Sequence, residues 1–231
     1  MGKTIESLSE KMDFQVTEIY DENNPFLTCK KSTADVAIDF TTPQLAATHI
    51  KHATDLQLPL VMGTTGWYEH FNEVRQYVNQ NNGSLFYATN FSIGVNLFFA
   101  LNRNLAKWMN TQPSYQPRMV EIHHTEKKDA PSGTAITLAE QTIEKMDRLE
   151  GYTLTDGFES EKIENKSLPI MALREPDVPG THTLIYENEI DKIEITHEAK
   201  GRLGFAQGAI SAARFLIGKQ GIFNMNDLLK F

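Results

Sequence analysis

Two imidazoles, two ammonium groups and a carboxylate lie close together in the sequence ahead of a predicted helix. The imidazoles of His123 and His124 are followed by the ammonium groups of Lys127 and Lys128 and by the carboxylate of Asp129. Histidines titrate near neutral pH and can transfer protons, whereas lysines supply a fixed positive charge that binds carboxylates. The segment could therefore combine proton transfer with the binding of an anionic substrate.

The residues that follow this segment predict the N-terminus of a helix. Ser132 is a favourable N-cap residue, and apolar residues recur after it with helical spacing, beginning at Ala135 and Leu138. Gly133 and Thr134 would then present free backbone N–H groups at the positive end of the helix. Such an end is suited to holding a carboxylate.

Residues 121–135, EIHHTEKKDAPSGTA, resemble the signature of the 4-hydroxy-tetrahydrodipicolinate reductase family, which reads E-x-H-H-x-x-K-x-D-A-P-S-G-T-A. Three further stretches are similar to motifs of that family: GTTG at 63–66, ATNFSIGVN at 88–96 and GRLGFAQGA at 201–209. The matches extend over about two thirds of the chain. The sequence is therefore identified as a member of this family.

The resemblance implies an enzyme that uses NAD(P)H to reduce 4-hydroxy-tetrahydrodipicolinate to tetrahydrodipicolinate in the diaminopimelate route to lysine. The substrate ring is a dicarboxylate that becomes a conjugated imine on loss of water. By the same resemblance, His123 is the principal proton donor or acceptor, and Lys127 is a cationic proton donor that stabilises charge. His124, together with the N–H groups of Gly133 and Thr134, is expected to hold a substrate carboxylate.

The beginning of the chain predicts part of a dinucleotide-binding unit. Residues 2–11 have helical spacing, and residues 14–20 alternate like a strand that ends at Asp21. An acidic residue at such a strand tip typically binds the ribose hydroxyls of the cofactor. A complete unit would start with a strand and a glycine-rich turn, so we expect that about ten residues are absent before Met1.

Three more strands are predicted in this half, at 35–40, 58–62 and 84–88, with helices at 43–57 and 68–79. Loops after buried parallel strands meet at the carboxyl edge of the sheet, where such folds bind ligands. By resemblance, the cofactor contacts come from the loops after the second and third of these strands. The expected residues are Gly63, Thr64, Thr65, Ala88, Thr89, Asn90 and Phe91.

The second half predicts helices at 95–109 and 132–149, a mobile polar loop at 151–166, and a last helix through 217. Strands are predicted at 118–123, 168–173, 181–187 and 192–197. The expected fold class is α/β, with a Rossmann-type domain that lacks its first strand and an α+β substrate and oligomerisation domain with an open mixed sheet. The expected domains are 1–91 with 206–231, and 92–205.

Composition restricts the partners. The chain has 30 acidic against 22 basic residues and a net charge of −8, which argues against nucleic-acid binding. No apolar run approaches the roughly 20 residues of a membrane span, and the first residues given do not have the pattern of a signal peptide. We expect a cytoplasmic protein with a small dicarboxylate substrate, and the resemblance implies a homotetramer.

Two features leave alternatives open. Glu22 follows Asp21 where some relatives carry an arginine for the 2′-phosphate of NADPH, so NADH is favoured over NADPH. The incomplete phosphate-binding unit would also suit a non-catalytic dinucleotide-binding protein. A metal hydrolase using His123, His124 and Glu126 is a further alternative, but the nearby lysines repel cations, so no metal is expected.

Overall fold

The computed structural model describes residues 1–158 and 166–230, which form two compact units. The first unit comprises Met1–Ile93 and the segment from Arg202 onward, and the second comprises Gly94–Gly201. In the described ranges, no helix is both long enough and apolar enough to cross a bilayer.

The first unit is built on a four-stranded parallel sheet with the order β1-β2-β3-β9. Its strands are β1 (Ala37–Asp39), β2 (Leu60–Met62), β3 (Ser84–Tyr87) and β9 (Gly221–Phe223). Its helices are α1 (Gly2–Ser9), α2 (Pro43–Asp55), α3 (Phe71–Gln80), α6 (Leu203–Leu216) and α7 (Met225–Leu229), with 3-10 turns at Glu10–Met12, Phe26–Thr28 and Tyr68–His70. β2 is buried along its whole length, as expected for a central parallel strand.

The predicted strand at 14–20 is wrong. These residues form neither helix nor strand, and Asp21 therefore does not lie at a strand tip. Alternation of apolar and polar residues predicts which side chains share a face, but a strand also needs a neighbouring backbone to pair with. The short elements β9 and α7 were not predicted, although the capping box of Asn224 and Asp227 marks the start of α7.

The second unit contains a five-stranded mixed sheet with the order β5-β6-β4-β7-β8. The strands are β4 (Gln116–His123), β5 (Gly151–Thr155), β6 (Ser167–Arg174), β7 (Thr181–Glu187) and β8 (Lys192–Glu198). β4 pairs in parallel with β6 and antiparallel with β7. The helices α4 (Ile93–Asn110) and α5 (Gly133–Lys145) contribute Phe98, Leu105 and Leu138 to a core shared with Met119 and Tyr186 of the sheet.

The predicted loop at 151–166 is wrong at its start, because Gly151–Thr155 forms the edge strand β5. An edge strand with one partner and partly exposed Tyr152 and Leu154 has too little apolar patterning to stand out in the sequence. Residues 159–165 of the predicted loop lie outside the described residues. Helix α5 ends at Lys145, four residues before the predicted end at Leu149.

Helix α6 approaches the backbone after β3 very closely. A Cβ added at Gly208 would lie 1.7 Å from the carbonyl oxygen of Phe91, whereas one added at Gly204 would lie 3.7 Å from Ser92 Oγ. Only a glycine at position 208 permits this packing, although glycine is the weaker helix former by about 1 kcal/mol.

We therefore expect Gly208→Ala to lower the free energy of unfolding by about 1–3 kcal/mol, because the helix or the Phe91 loop must move. Gly204→Ala, in the same helix, is the matched control and should change the stability by no more than about 1 kcal/mol. Urea denaturation measures both values. Equal stabilities of the two variants would contradict the close approach at Gly208.

Candidate active site

Strand β4 places two ionisable side chains on the buried face of the mixed sheet. Side chains alternate along the strand, so Glu121 and His123 point the same way and are both buried. The register of the sheet sets His182 of β7 opposite Glu121 and Arg174 of β6 opposite His123. Four side chains that can carry charge thus converge at one end of three adjacent strands.

Ser132 connects this cluster to the start of α5. Its backbone N–H donates to both carboxylate oxygens of Glu121, at 3.1 and 3.0 Å. Its Oγ accepts from the N–H of Ala135 at 3.2 Å, as the predicted N-cap, and lies 2.9 Å from His182 Nε2. The start of the helix is therefore fixed to strands β4 and β7.

The backbone N–H groups of the first two residues of α5 are available to bind a ligand. Within the described part of the chain, the N–H groups of Gly133 and Thr134 form no hydrogen bond, and Gly133 is exposed. Free N–H groups at this end of a 13-residue helix carry a partial positive charge that favours an anion.

The loop between β4 and α5 carries the lysines of the sequence motif. The ammonium group of Lys127 lies 2.8 and 2.7 Å from the two carboxylate oxygens of Asp129. This contact, more than any other, holds the pKa of Asp129 below its usual range. Arg174 donates to the backbone carbonyls of Lys127 and Asp129, at 3.3 and 2.6 Å, and so fixes the loop. His124 is exposed at the beginning of a turn in this loop.

The two ring nitrogens of His123 have different surroundings. Its Nδ1 is buried without a hydrogen-bond partner in the described structure and lies 3.5 Å from Glu121 Oε2. Its Nε2 faces Gly180, where an added Cβ would lie only 3.0 Å away. Burial lowers the pKa of His123, Lys127 and Arg174 lower it further, and the Glu121 carboxylate opposes the change.

The three residues of the alternative metal site, His123, His124 and Glu126, do not form a group of possible ligands in the described structure. Among the described residues, the group that could offer three ligand atoms is Glu121, His123 and His182, with those atoms within 4.8 Å of one another. His124 and Glu126 are exposed and outside that group. The Glu121 oxygens already accept from Ser132, and cationic side chains adjoin the group, so we assign no metal to it.

In the first unit, the loops after β1 and β2 lie together at the carboxyl edge of the parallel sheet. The N–H of Gly63 donates to the carbonyl of Asp39 at 2.8 Å, and Thr64 Oγ1 accepts from the N–H of Thr41 at 2.8 Å. A Cβ at Gly63 would lie 2.2 Å from the ring of Phe40, so any side chain here would require that ring to move. Thr65, the next residue of the predicted set, is exposed.

The remaining predicted cofactor residues differ in exposure. Ala88 and Phe91 are buried, Thr89 is exposed, and Asn90 Oδ1 accepts from the N–H of Ser92 at 2.8 Å, after β3 of the same sheet. Asp21 is exposed and bonds to its own turn, accepting from the N–H groups of Asn23 and Asn24.

Three residues of the buried cluster were not assigned a role from the sequence. Glu121 entered only as the first letter of the motif, and neither His182 nor Arg174 was given a functional role. The spacing of Glu121 and His123, two residues apart in a predicted strand, was the available signal that both share a face. The cross-strand partners depend on the register, which the sequence alone does not give.

A parallel α/β unit with loops at its carboxyl edge, followed by a mixed-sheet unit with a buried imidazole, is the architecture of a dinucleotide-dependent oxidoreductase. Family models confirm this class: the dihydrodipicolinate reductase N-terminus model matches residues 1–91, and the C-terminus model matches residues 94–229. The chain belongs to the dihydrodipicolinate reductase family, as residues 121–135 predicted.

Curated relatives agree with this membership. The chain is 44% identical over 229 residues to a 4-hydroxy-tetrahydrodipicolinate reductase of Christiangramia forsetii, which covers 99% of this chain and 93% of the relative. It is 37% identical over 207 residues to the enzyme of the same name from Methanocaldococcus jannaschii, covering 87% of this chain and 73% of the relative.

A solved structure supports the fold. Dipicolinate-bound dihydrodipicolinate reductase from Paenisporosarcina sp. TG-14 superposes with a TM-score of 0.70 at 23% identity, over 94% of this chain and 82% of the other. The predicted α/β fold class, with a parallel and a mixed sheet, is confirmed.

The buried cluster predicts a specific acid sensitivity. Burial lowers the pKa of His182 to about 3, and His123, His197 and Lys127 act in the same direction. An unfolded histidine titrates near pH 6.5, so below that pH the unfolded chain binds a proton that the folded chain does not. Stability therefore falls as the pH falls from about 6.5 towards 3, by up to about 2 kcal/mol at pH 5 for this one group.

We expect His182→Gln to reduce this effect, so that the melting temperature drops less between pH 7 and pH 5 than in the wild type. Calorimetry at the two pH values measures the difference. His70→Gln, which removes an exposed histidine from the first unit, is the control and should keep the wild-type pH dependence. Equal drops for His182→Gln and the wild type would exclude His182 as the source.

Proposed function

We propose that the chain catalyses the NAD(P)H-dependent reduction of 4-hydroxy-tetrahydrodipicolinate to tetrahydrodipicolinate, a step in diaminopimelate and lysine biosynthesis. The observation that carries the proposal is the buried His123, flanked by Glu121 and followed by Lys127 and the available N–H groups of α5. The activity for which the relatives are named supports it. The same names favour the reductase over the non-catalytic alternative.

His123 and Lys127 are proposed as the catalytic residues. Reduction of the conjugated imine places an electron pair at one end of the system, and that end must receive a proton. His123 exchanges this proton through Nε2, the ring nitrogen that faces Gly180 rather than Glu121. Lys127 stabilises the developing negative charge and can itself donate a proton.

His124, Gly133 and Thr134 are proposed to hold a substrate carboxylate. The support is the helix start, where the N–H groups of Gly133 and Thr134 are available and Ser132 is fixed by Glu121. A carboxylate there would accept charge-assisted hydrogen bonds at the positive end of α5. The exposed His124 is able to reach a ligand from the adjoining loop.

The carboxyl edge of the parallel sheet suits a nicotinamide dinucleotide. Gly63 leaves no side chain beside Phe40, and Thr65 and Thr89 are exposed on neighbouring loops. We propose that Asp21, Gly63–Thr65 and Ala88–Phe91 hold the cofactor, which supplies the hydride when bound. The proposed cofactor domain comprises residues 1–91 and 206–231, and the proposed substrate and oligomerisation domain comprises residues 92–205.

Homotetramer formation and a cytoplasmic location are part of the proposal. The family resemblance supports the tetramer, and the single cysteine of the chain, typical of a reducing compartment, supports the cytoplasmic location. Light scattering on the purified protein tests the first, and a mass other than four chains would reject it. Fractionation of cells that express the protein tests the second, and recovery outside the cytoplasmic fraction would reject it.

NADH is proposed as the preferred cofactor, because the exposed Glu22 beside Asp21 would repel the 2′-phosphate of NADPH. The expected result is a lower KM for NADH than for NADPH. Glu22→Arg should lower the KM for NADPH by several-fold, because it replaces repulsion with attraction. Steady-state kinetics with both cofactors measures the ratio, and a wild-type preference for NADPH would reject the assignment.

For the catalytic pair, we expect His123→Gln and Lys127→Ala each to reduce kcat by about a hundredfold or more while the fold persists. Oxidation of NADH with freshly prepared substrate, with and without a chelator, measures the turnover. Lys128→Ala is the matched control, because it removes an exposed ammonium group from the neighbouring position. It should retain kcat within a factor of a few.

Two results would contradict these roles. Wild-type turnover in a folded Lys127→Ala variant would remove Lys127 from the mechanism, and the same result for His123→Gln would remove His123. Loss of wild-type activity in the presence of the chelator would instead indicate a metal-dependent reaction.

A further inference from the structure

Glu121 is a fully buried carboxylate, with 0% of its surface exposed. Burying a carboxylate is costly unless hydrogen bonds and opposite charges compensate for the lost hydration. The compensation comes from the Ser132 N–H at 3.0 and 3.1 Å and from the guanidinium group of Arg174 at 3.5 Å. The position of this charge, beside the proposed catalytic imidazole, suggests a role beyond packing.

The contacts of Glu121 extend to both buried imidazoles. Its Oε2 lies 3.5 Å from His123 Nδ1 and 3.7 Å from His182 Nε2, and the two imidazole rings have centroids 5.0 Å apart. His182 Nε2 has a closer partner in Ser132 Oγ, at 2.9 Å. The Nδ1 atom of His123 has no hydrogen-bond partner within the described chain, so the Glu121 carboxylate is its nearest charged acceptor.

We infer that Glu121 is a positioning residue, which holds the proton of neutral His123 on Nδ1 and keeps Nε2 free for proton exchange with the substrate. The same carboxylate anchors the first turn of α5 through Ser132. One side chain therefore orients both the proton-transfer group and the proposed carboxylate-binding helix end. The inference rests on the proposed function for its kinetic readout only.

The physical reason lies in the opposite preferences of the two ring edges. An anionic oxygen beside Nδ1 favours the tautomer with hydrogen there, as carboxylates do when they orient catalytic or metal-bound imidazoles. At 3.5 Å the contact is longer than a normal hydrogen bond, and catalytic hydrogen bonds are often long before substrate binds. When His123 takes up a proton from solvent at Nε2, the carboxylate stabilises the imidazolium that forms, and this group then passes the Nε2 proton to the electron pair left on the reduced ring.

The other charges around His123 do not replace Glu121. The ionisable groups that face the imidazole are Glu121 of β4, Arg174 of β6, His182 of β7, and Lys127 and Asp129 of the loop before α5. Arg174, Lys127 and a protonated His182 would all disfavour an imidazolium. Asp129 is exposed and already bound to Lys127. Glu121 is thus the buried anion in the set.

The first test uses the wild-type protein and needs no turnover. Nitrogen-15 NMR of histidine-labelled protein distinguishes a protonated from an unprotonated ring nitrogen, and the spectrum of His123→Gln assigns the His123 signals. We expect neutral His123 to carry hydrogen on Nδ1 and to leave Nε2 unprotonated. A neutral His123 with hydrogen on Nε2 would overturn the inference, whatever the catalytic activity of the chain.

The second test removes the charge and keeps the shape. Glu121→Gln retains a carbonyl oxygen for the Ser132 N–H but no longer stabilises the imidazolium. We expect kcat to fall by about tenfold or more, with a change of less than about threefold in the substrate KM. The limb of the pH–kcat profile that reports His123 should move to lower pH by about one unit. A residue that only capped α5 would not move this limb.

Glu187→Gln is the matched control. It removes a partly exposed carboxylate from the same sheet, where Glu187 of β7 pairs with Arg118, at the opposite end of β4 from His123. This variant should keep the wild-type pH profile. A folded Glu121→Gln variant with wild-type kcat and pH profile would overturn the inference. If Glu121→Gln does not fold, the NMR measurement of the His123 tautomer in the wild-type protein tests the inference on its own.

Discussion

The second unit depends on the burial of one negative charge. Glu121 is fully buried and accepts hydrogen bonds from the N–H of Ser132 at the start of α5. The backbone N–H of Ser132 and the guanidinium group of Arg174 must therefore stay where they are. The Ser132 contact holds the start of α5 against β4. Arg174 of β6 contacts Glu121 and also the loop between β4 and α5. Residues far apart in sequence are held together because the alternative is an uncompensated charge.

The sequence predicted this region well where the determinants are local. The alternation of residues 118–123 gave strand β4, and Ser132 gave the cap of α5 within one residue. The approach of His182 and Arg174 to Glu121 depends on the order and register of β6, β4 and β7. Register is decided by which faces are buried in the completed sheet, so a single sequence does not reveal it.

In the first unit, the sequence predicted the longer elements but not the short ones. Helices α1, α2, α3 and α6 and strands β1 to β3 were predicted from periodicity. The alternating residues 14–20 form no strand, however, and the short elements β9 and α7 were missed. Short strands are specified by their neighbours rather than by their own composition. The close contacts of Gly63 with the Phe40 ring and of Gly208 with the Phe91 backbone are also invisible in a single sequence, because a glycine in a turn or a helix has several ordinary explanations. Family motifs located both glycines, and tertiary packing explains which atoms a side chain would meet at each position.

The pairing of Lys127 with Asp129 has a consequence for affinity. In the absence of ligand, the ammonium group already has an anionic partner from its own loop, in a position held by Arg174. An incoming carboxylate that binds Lys127 would exchange one ion pair for another, and only the difference between the two would strengthen binding. The contact with Asp129 holds the Lys127 ammonium group in one place within its loop. A monocarboxylate would have to displace Asp129 from Lys127 and would gain little binding free energy from the exchange. A dicarboxylate could form additional contacts with its second carboxylate, so it should bind more tightly.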